Sequence, residues 1–197
     1  YKKIRGKQPS HIYMSQFDNV YSVFPEIEHK VKNIKPLMKE MKQLKTFSTQ
    51  ENENCLILSI WFVRENYLGF DEYTSYIQNL TKYLSKRYKT LYYKPHPRDS
   101  DELNSRIFDT CPVENVPKEY AEIPAELFIA NHKIDVYGFA NTVMYFVNPV
   151  FENNCYSLFR DIVTQYPQHK RLKKLYDQFS VIFDKFNIKE VTIPKEK

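Results

Sequence analysis

The sequence has little of what marks several functional classes. Only three of its 197 residues are cysteine and only three are glycine. Cys55, Cys111 and Cys155 are odd in number, far apart and in no Cys-x-x-Cys or Cys/His ligand spacing. That excludes a disulfide scaffold and a zinc-ligand motif, and fits free thiols in a reducing compartment. No run approaches the roughly 18 uncharged apolar residues that a membrane-spanning helix needs. There is no signal-peptide pattern, internal repeat or low-complexity tract. The chain opens Tyr1-Lys2-Lys3-Ile4 without an initiator Met, and is therefore expected to be part of something longer.

What is present suffices for a core. The length is worth one full domain, or one and a fraction. A content of 42% apolar and 16% aromatic residues, with a net charge of only +5, excludes global disorder. The charge is unevenly spread: residues 1–47 carry ten Lys/Arg against four Asp/Glu, residues 160–197 nine against five, and the centre is acidic. The basic ends read first as solvated helix faces and second as a contact with an anionic surface. Most basic residues are Lys on helical patterns, not an Arg-rich strip interleaved with aromatics, so no nucleic-acid partner is expected.

Along the chain, His11-Ile12-Tyr13-Met14 and the stretch near Val20–Phe24 read as strands. Pro36 is expected in the first turn of a helix with Leu37, Met38, Met41 and Leu44 at helical spacing. The polar run 48–54 reads as a linker, separating residues 1–47 from a domain over 55–197. Cys55-Leu56-Ile57-Leu58-Ser59-Ile60 has the look of a strand buried on both faces. A loop at 63–71 then leads to a helix presenting Tyr73, Ile77, Leu80 and Leu84. Thr90-Leu91-Tyr92-Tyr93 is a second strand, stopped by Pro95 and Pro97. A helix is expected from Pro124, a strand over Ile134–Gly138 and a helix opening at Asn141-Thr142-Val143-Met144. This alternation argues for βαβ units, an α/β fold with a parallel sheet. The tail carries Leu172, Leu175, Phe179, Ile182, Phe183 and Phe186 as a helical stripe, read as packing rather than a ligand box.

In such sheets ligands bind at the carboxyl ends of the strands. Two loops stand there. Lys94-Pro95-His96-Pro97-Arg98 holds a histidine between prolines beside two cations, suited to a phosphate, although a solvent-facing turn reads equally well from these residues alone. Gly138-Phe139-Ala140-Asn141-Thr142 ends a strand at a rare glycine and begins a helix, where unpaired N–H groups favour an anion; an ordinary N-cap is the plainer reading. Glu126, near a helix start, complements the helix dipole or accepts from ribose hydroxyls.

The order Lys94-Pro95-His96-Pro97, then Pro124-Ala125-Glu126-Leu127, then Tyr137-Gly138-Phe139-Ala140-Asn141-Thr142 resembles the bacterial sialyltransferases that decorate lipooligosaccharide and capsule, including their polysialyltransferase-like members. The resemblance covers about residues 55–150. It implies a Rossmann-like sheet forming the second, nucleotide-binding half of a GT-B glycosyltransferase fold with a helical carboxyl-terminal tail. It further implies transfer of sialic acid from CMP-sialic acid to a glycan acceptor with inversion, without metal or other cofactor. His96 would meet the phosphate and stabilise the leaving nucleotide, with Pro97 fixing the loop; Asn141 and Thr142, after Gly138, would hold the phosphate from the other side. Lys94 would lie by the cytosine or ribose, and Glu126 would bind the ribose hydroxyls. Ala140-Asn141-Thr142 departs from the paired hydroxyls often found in that motif.

Inverting transfer also needs a general base for the acceptor hydroxyl. The resembled families supply it from an acidic-acidic-Gly motif in an amino-terminal domain. None of Gly6, Gly69 and Gly138 follows two acidic residues, and Glu65, Asp71 and Glu72 have no supporting pattern, so the base is unassigned. Residues 1–47 are accordingly expected to be the remnant of an acceptor domain. A cytoplasmic location, with peripheral contact to the inner membrane through the basic ends, follows from the same resemblance. The alternatives are a GT-B enzyme using another activated donor, or a non-catalytic nucleotide-binding module.

Overall fold

A computed structural model describes residues 20–22, 34–36 and 53–194. The chain divides into two compact units, Tyr1–Lys45 and Thr46–Lys197. In the first, β1 (Val20–Ser22) pairs in parallel with β2 (Ile34–Pro36), Val20 opposite Ile34 and Ser22 opposite Pro36. Pro36 thus ends a strand instead of opening a helix. An extended backbone accommodates proline as well as a first helical turn does, and at a strand end the missing N–H breaks no ladder. The strand expected at 11–14, and the helical positions Leu37, Met38, Met41 and Leu44, lie outside the described residues.

The second unit opens with β3 (Asn54–Leu58), α1 (Phe70–Leu84), β4 (Thr90–Lys94), α2 (Asp101–Thr110) and β5 (Glu114–Asn115). After α3 (Lys118–Ala121) and α4 (Ala125–Asn131) come β6 (Asp135–Gly138), α5 (Met144–Val147) and β7 (Cys155–Ser157). α6 (Phe159–Gln165), α7 (Lys170–Phe179), two 3-10 turns and β8 (Lys189–Glu190) complete it. Asn54, assigned to the linker from sequence, is the first residue of β3. The six strands are all parallel, in the order β5-β4-β3-β6-β7-β8. This is an α/β, Rossmann-like fold.

β3 lies at the centre because its apolar run can be buried on both faces: Cys55, Leu56 and Ile57 are wholly inaccessible. Leu56 stands opposite Tyr92 on one side and Val136 on the other. The chain runs outward from β3 through β4 to β5, then returns to the opposite flank with β6. Strand order therefore reverses between β3 and β6, and a crevice opens beyond their carboxyl ends. At the amino-terminal end, by contrast, Asp135 is buried and satisfied by Tyr88 Oη and by Asn154 Nδ2 at 2.8 Å.

α1 starts after Gly69, whose N–H donates to Glu72 Oε2 at 2.8 Å, and buries Tyr73, Tyr76, Ile77, Leu80 and Leu84. Phe139, directly after β6, is fully buried with its ring 5.2 Å from Phe62 and 6.0 Å from Tyr76. That anchor holds the loop after β6 against the sheet; truncating such a ring costs about 3–5 kcal/mol. In the tail, Leu172, Phe183 and Phe186 are buried as packing residues. The stripe is not one helix: α7 ends at Phe179, the turns Ser180–Ile182 and Asp184–Phe186 follow, and Asn187 at φ 53° redirects the chain into β8. The tail thereby contributes the sixth strand.

Candidate functional site

Beyond the carboxyl ends of β3, β4 and β5 lies a cleft of about 690 Å³. Lys94, His96 and Pro97 line it from the loop after β4, Glu126 from the first turn of α4 and Asn141 from the loop after β6. Five of the seven residues singled out from the sequence thus meet in one cavity. Gly138 and Thr142 do not line it, and Thr142 is exposed to solvent.

The His96 loop is built by its neighbours. Pro95 and Pro97 end strand pairing, and the chain turns with the Asp99 N–H donating to the His96 carbonyl at 2.8 Å. Asp99 Oδ2 accepts the His96 N–H at 2.9 Å and also the Ser59 hydroxyl. Ser59, 2% exposed, lies 3.1 Å from Tyr73 Oη, so the loop is pinned through Asp99 to the end of β3 and to α1. Neither Ser59 nor Asp99 stands out in the sequence as a site residue. The available signal was an Asp three residues after the histidine, just before the Ser100 N-cap of α2.

His96 Nδ1 accepts the Arg98 N–H at 3.1 Å. A ring nitrogen that accepts carries no proton, so the neutral imidazole bears its hydrogen on Nε2. Burial lowers the His96 pKa below the ordinary value; Asp99 opposes this, and the cations of Arg98 and Arg64 add to it. The ring is therefore a neutral donor near pH 7. Asp99 is held above the usual carboxylate value by burial, opposed by the hydrogen bonds from Ser59 and the His96 N–H.

Lys94 Nζ donates to the carbonyls of Tyr120 and Ala121 at 2.8 and 2.9 Å, closing the carboxyl end of α3. Burial lowers its pKa, with Glu126 acting in the opposite direction. Two of its three hydrogens thus hold the 118–124 segment in place over the cleft.

After β6, Asn141 Oδ1 accepts the Phe139 N–H at 3.2 Å while Nδ2 donates to the Ser59 carbonyl at 2.7 Å. A Cβ on Gly138 would sit 2.8 Å from Met144 Sδ and 2.9 Å from Asn141 Oδ1, so the glycine allows this close approach. The helix expected to open at Asn141-Thr142 begins at Met144 and has only four residues. Neither Asn141 nor Thr142 is its cap. The amides of Met144 and Tyr145 already donate to the Asn141 and Thr142 carbonyls, which takes them away from an incoming anion.

Among the described residues no cluster of His, Cys, Asp or Glu has the arrangement of a metal site. No helix there is long and apolar enough to cross a membrane. All three cysteines are free and buried, with burial raising each thiol pKa, so none is an activated nucleophile. Glu72 is committed to the α1 cap and to His169 Nε2 at 2.8 Å.

Comparison with known families matches residues 5–160 to the alpha-2,8-polysialyltransferase family (POLYST). No individual curated protein matches the chain.

Proposed function

The chain belongs to the alpha-2,8-polysialyltransferase family, a family of sialyltransferases, and from that premise we propose that its cleft binds CMP-sialic acid for inverting transfer to a glycan acceptor. The observation that carries this reading is the state of His96. Its Nδ1 is occupied by the Arg98 N–H, which leaves Nε2–H as the ring's donor in a cleft that also holds Lys94, Glu126 and Asn141.

In this reading the CMP phosphate accepts from His96 Nε2 and from polar groups around Asn141. An acceptor hydroxyl attacks the anomeric carbon of sialic acid. The bond from that carbon to the phosphate oxygen breaks, and CMP departs with the electron pair. Negative charge grows on the phosphate as the bond lengthens, so a donor held in place strengthens most in the transition state. The acceptor proton goes to a carboxylate base that none of these cleft residues is assigned to provide. Glu126 accepts from the ribose hydroxyls, and Lys94, fixed on the 120–121 carbonyls, shapes the wall for the base or ribose. Thr142 stands farther out, leaving Asn141 as the nearer phosphate contact. The transfer proceeds without metal, because a single phosphate leaves and the cleft supplies its own donors.

The wider reading is of a GT-B enzyme of bacterial capsule or lipooligosaccharide synthesis. Residues 55–197 are its nucleotide-binding half and residues 1–47 belong to an acceptor domain. It works in the cytoplasm, where the basic ends of the chain meet anionic lipid. Isothermal calorimetry with CMP and UDP tests the donor assignment. CMP should bind wild type and lose about tenfold or more with His96→Ala. Equal binding of CMP to both proteins removes His96 from the site, and a preference for UDP makes this a transferase with a different donor.

A further inference from the structure

Directly beyond the His96 turn a second pocket opens, about 320 Å³ in volume. Arg64, Arg98, Asp99 and Ser100 line it, and Asp99 also faces the nucleotide cleft. The two arginines arrive from different loops, after β3 and after β4. Arg64 Nη1 donates to the Arg98 backbone carbonyl at 3.5 Å, which ties the first arginine to the loop that carries the second. Both are exposed, and neither forms an ion pair among the described residues. Asp99 is in ion-pair contact with neither of them, and its Oδ2 accepts from the Ser59 hydroxyl and the His96 N–H. Its Oδ1 is buried without a hydrogen-bond partner. A pocket with two exposed guanidinium groups, neither in an ion pair among the described residues, and one orphaned acceptor suits a ligand carrying both a carboxylate and hydroxyl or amide hydrogens.

We propose that this pocket binds the carboxylate of a sialyl residue, with Arg64 and Arg98 on the carboxylate and Asp99 Oδ1 accepting from a hydroxyl or amide N–H of the sugar. The proposal rests on reading the larger cleft as the nucleotide site, and it extends that reading to the sugar. In CMP-sialic acid the carboxylate and the phosphate ester share the anomeric carbon. A phosphate at His96 therefore brings the carboxylate within a few ångströms, and the chain places Arg98 two residues on. An acceptor ending in sialic acid carries the same group.

Calorimetry on the whole chain separates the two sources. The ligands are CMP, a non-transferable fluorinated CMP-sialic acid and a short oligosialic acid; the proteins are wild type, Arg64→Gln and Arg98→Gln, both at exposed positions. The expected result is CMP affinity within about threefold of wild type together with a loss of about tenfold for a sialyl ligand. A loss confined to the fluorinated donor makes the carboxylate the donor's, and one confined to oligosialic acid makes it the acceptor's. Wild-type affinity for all three ligands in both variants overturns the proposal, as does a loss that is equal for CMP. If wild type binds the sialyl ligands but not CMP, and the variants lose that binding, the nucleotide reading has failed while the carboxylate pocket stands. If it binds none, both have failed.

Discussion

Asn141 Nδ2 and the Ser59 carbonyl oxygen are 2.7 Å apart, a single hydrogen bond that joins the loops leaving β6 and β3 where strand order reverses. Asn141→Asp keeps the size and the acceptor for the Phe139 N–H, but sets an oxygen against the Ser59 carbonyl. It is expected to lower unfolding free energy by about 1–3 kcal/mol in urea titration at pH 7. Undiminished stability would mean that this bond contributes nothing to holding the crevice.

Gly138 makes room for that same side chain. Gly138→Ala brings a methyl against Met144 Sδ, which can swing away, and against Asn141 Oδ1, which the Phe139 N–H holds. A destabilisation of about 1–3 kcal/mol is expected. Combined with Asn141→Ala it should cost less than the sum of the single changes, because one clash has been removed. Strict additivity in that cycle would contradict the contact.

His96 should titrate below 6.5 in the free protein, with burial the main cause, and its neutral form should carry the proton on Nε2. Long-range proton–nitrogen NMR reads both properties. The sign for stability follows from the depressed pKa. The folded state binds this proton less readily than the unfolded chain does. The contribution is therefore complete above about pH 6.5 and is lost as pH falls through the folded pKa. His96→Asn should remove that part of the slope. A ring titrating above 6.5, or protonated on Nδ1 when neutral, would remove the basis for the proposed donor.

Glu72 joins α1 to the connection between α6 and α7. Burial pulls its pKa up, but hydrogen bonds from His169, the Gly69 N–H and Gln168 hold it below the ordinary 4.5. A carboxylate with a lowered pKa contributes stability above about pH 4.5, and that contribution disappears as pH falls through its folded pKa. Glu72→Gln should therefore cost about 1 kcal/mol at pH 7 and flatten the acid limb of the stability curve. An acid limb identical to wild type would show that the cluster contributes no pH dependence.

How much could be read in advance varied with the length of the signal. The apolar run 55–60 announced β3, and the stripe Tyr73, Ile77, Leu80 and Leu84 announced α1, because each extends over enough residues for periodicity to act. β5 and β8 have two residues each, exposed or half-buried, and no local pattern distinguishes them from loop. The prolines at 95 and 97 identified the His96 loop. Ser59 and Asp99 escaped notice because their importance lies in a contact spanning 40 residues.

The alternation of strands and helices, and the cationic, proline-bound histidine at the end of β4, were settled by local sequence alone. Those properties reside in contiguous residues, in the spacing of apolar side chains and the fixed φ of proline. Packing in three dimensions was needed to return β6 beside β3, to turn Asn141 but not Thr142 to the cleft, and to leave the His96 proton on Nε2. The physical reason is that partners in a parallel sheet come from distant segments. The orientation and protonation of a side chain then follow from those partners and from burial, neither of which its own neighbours in the chain specify.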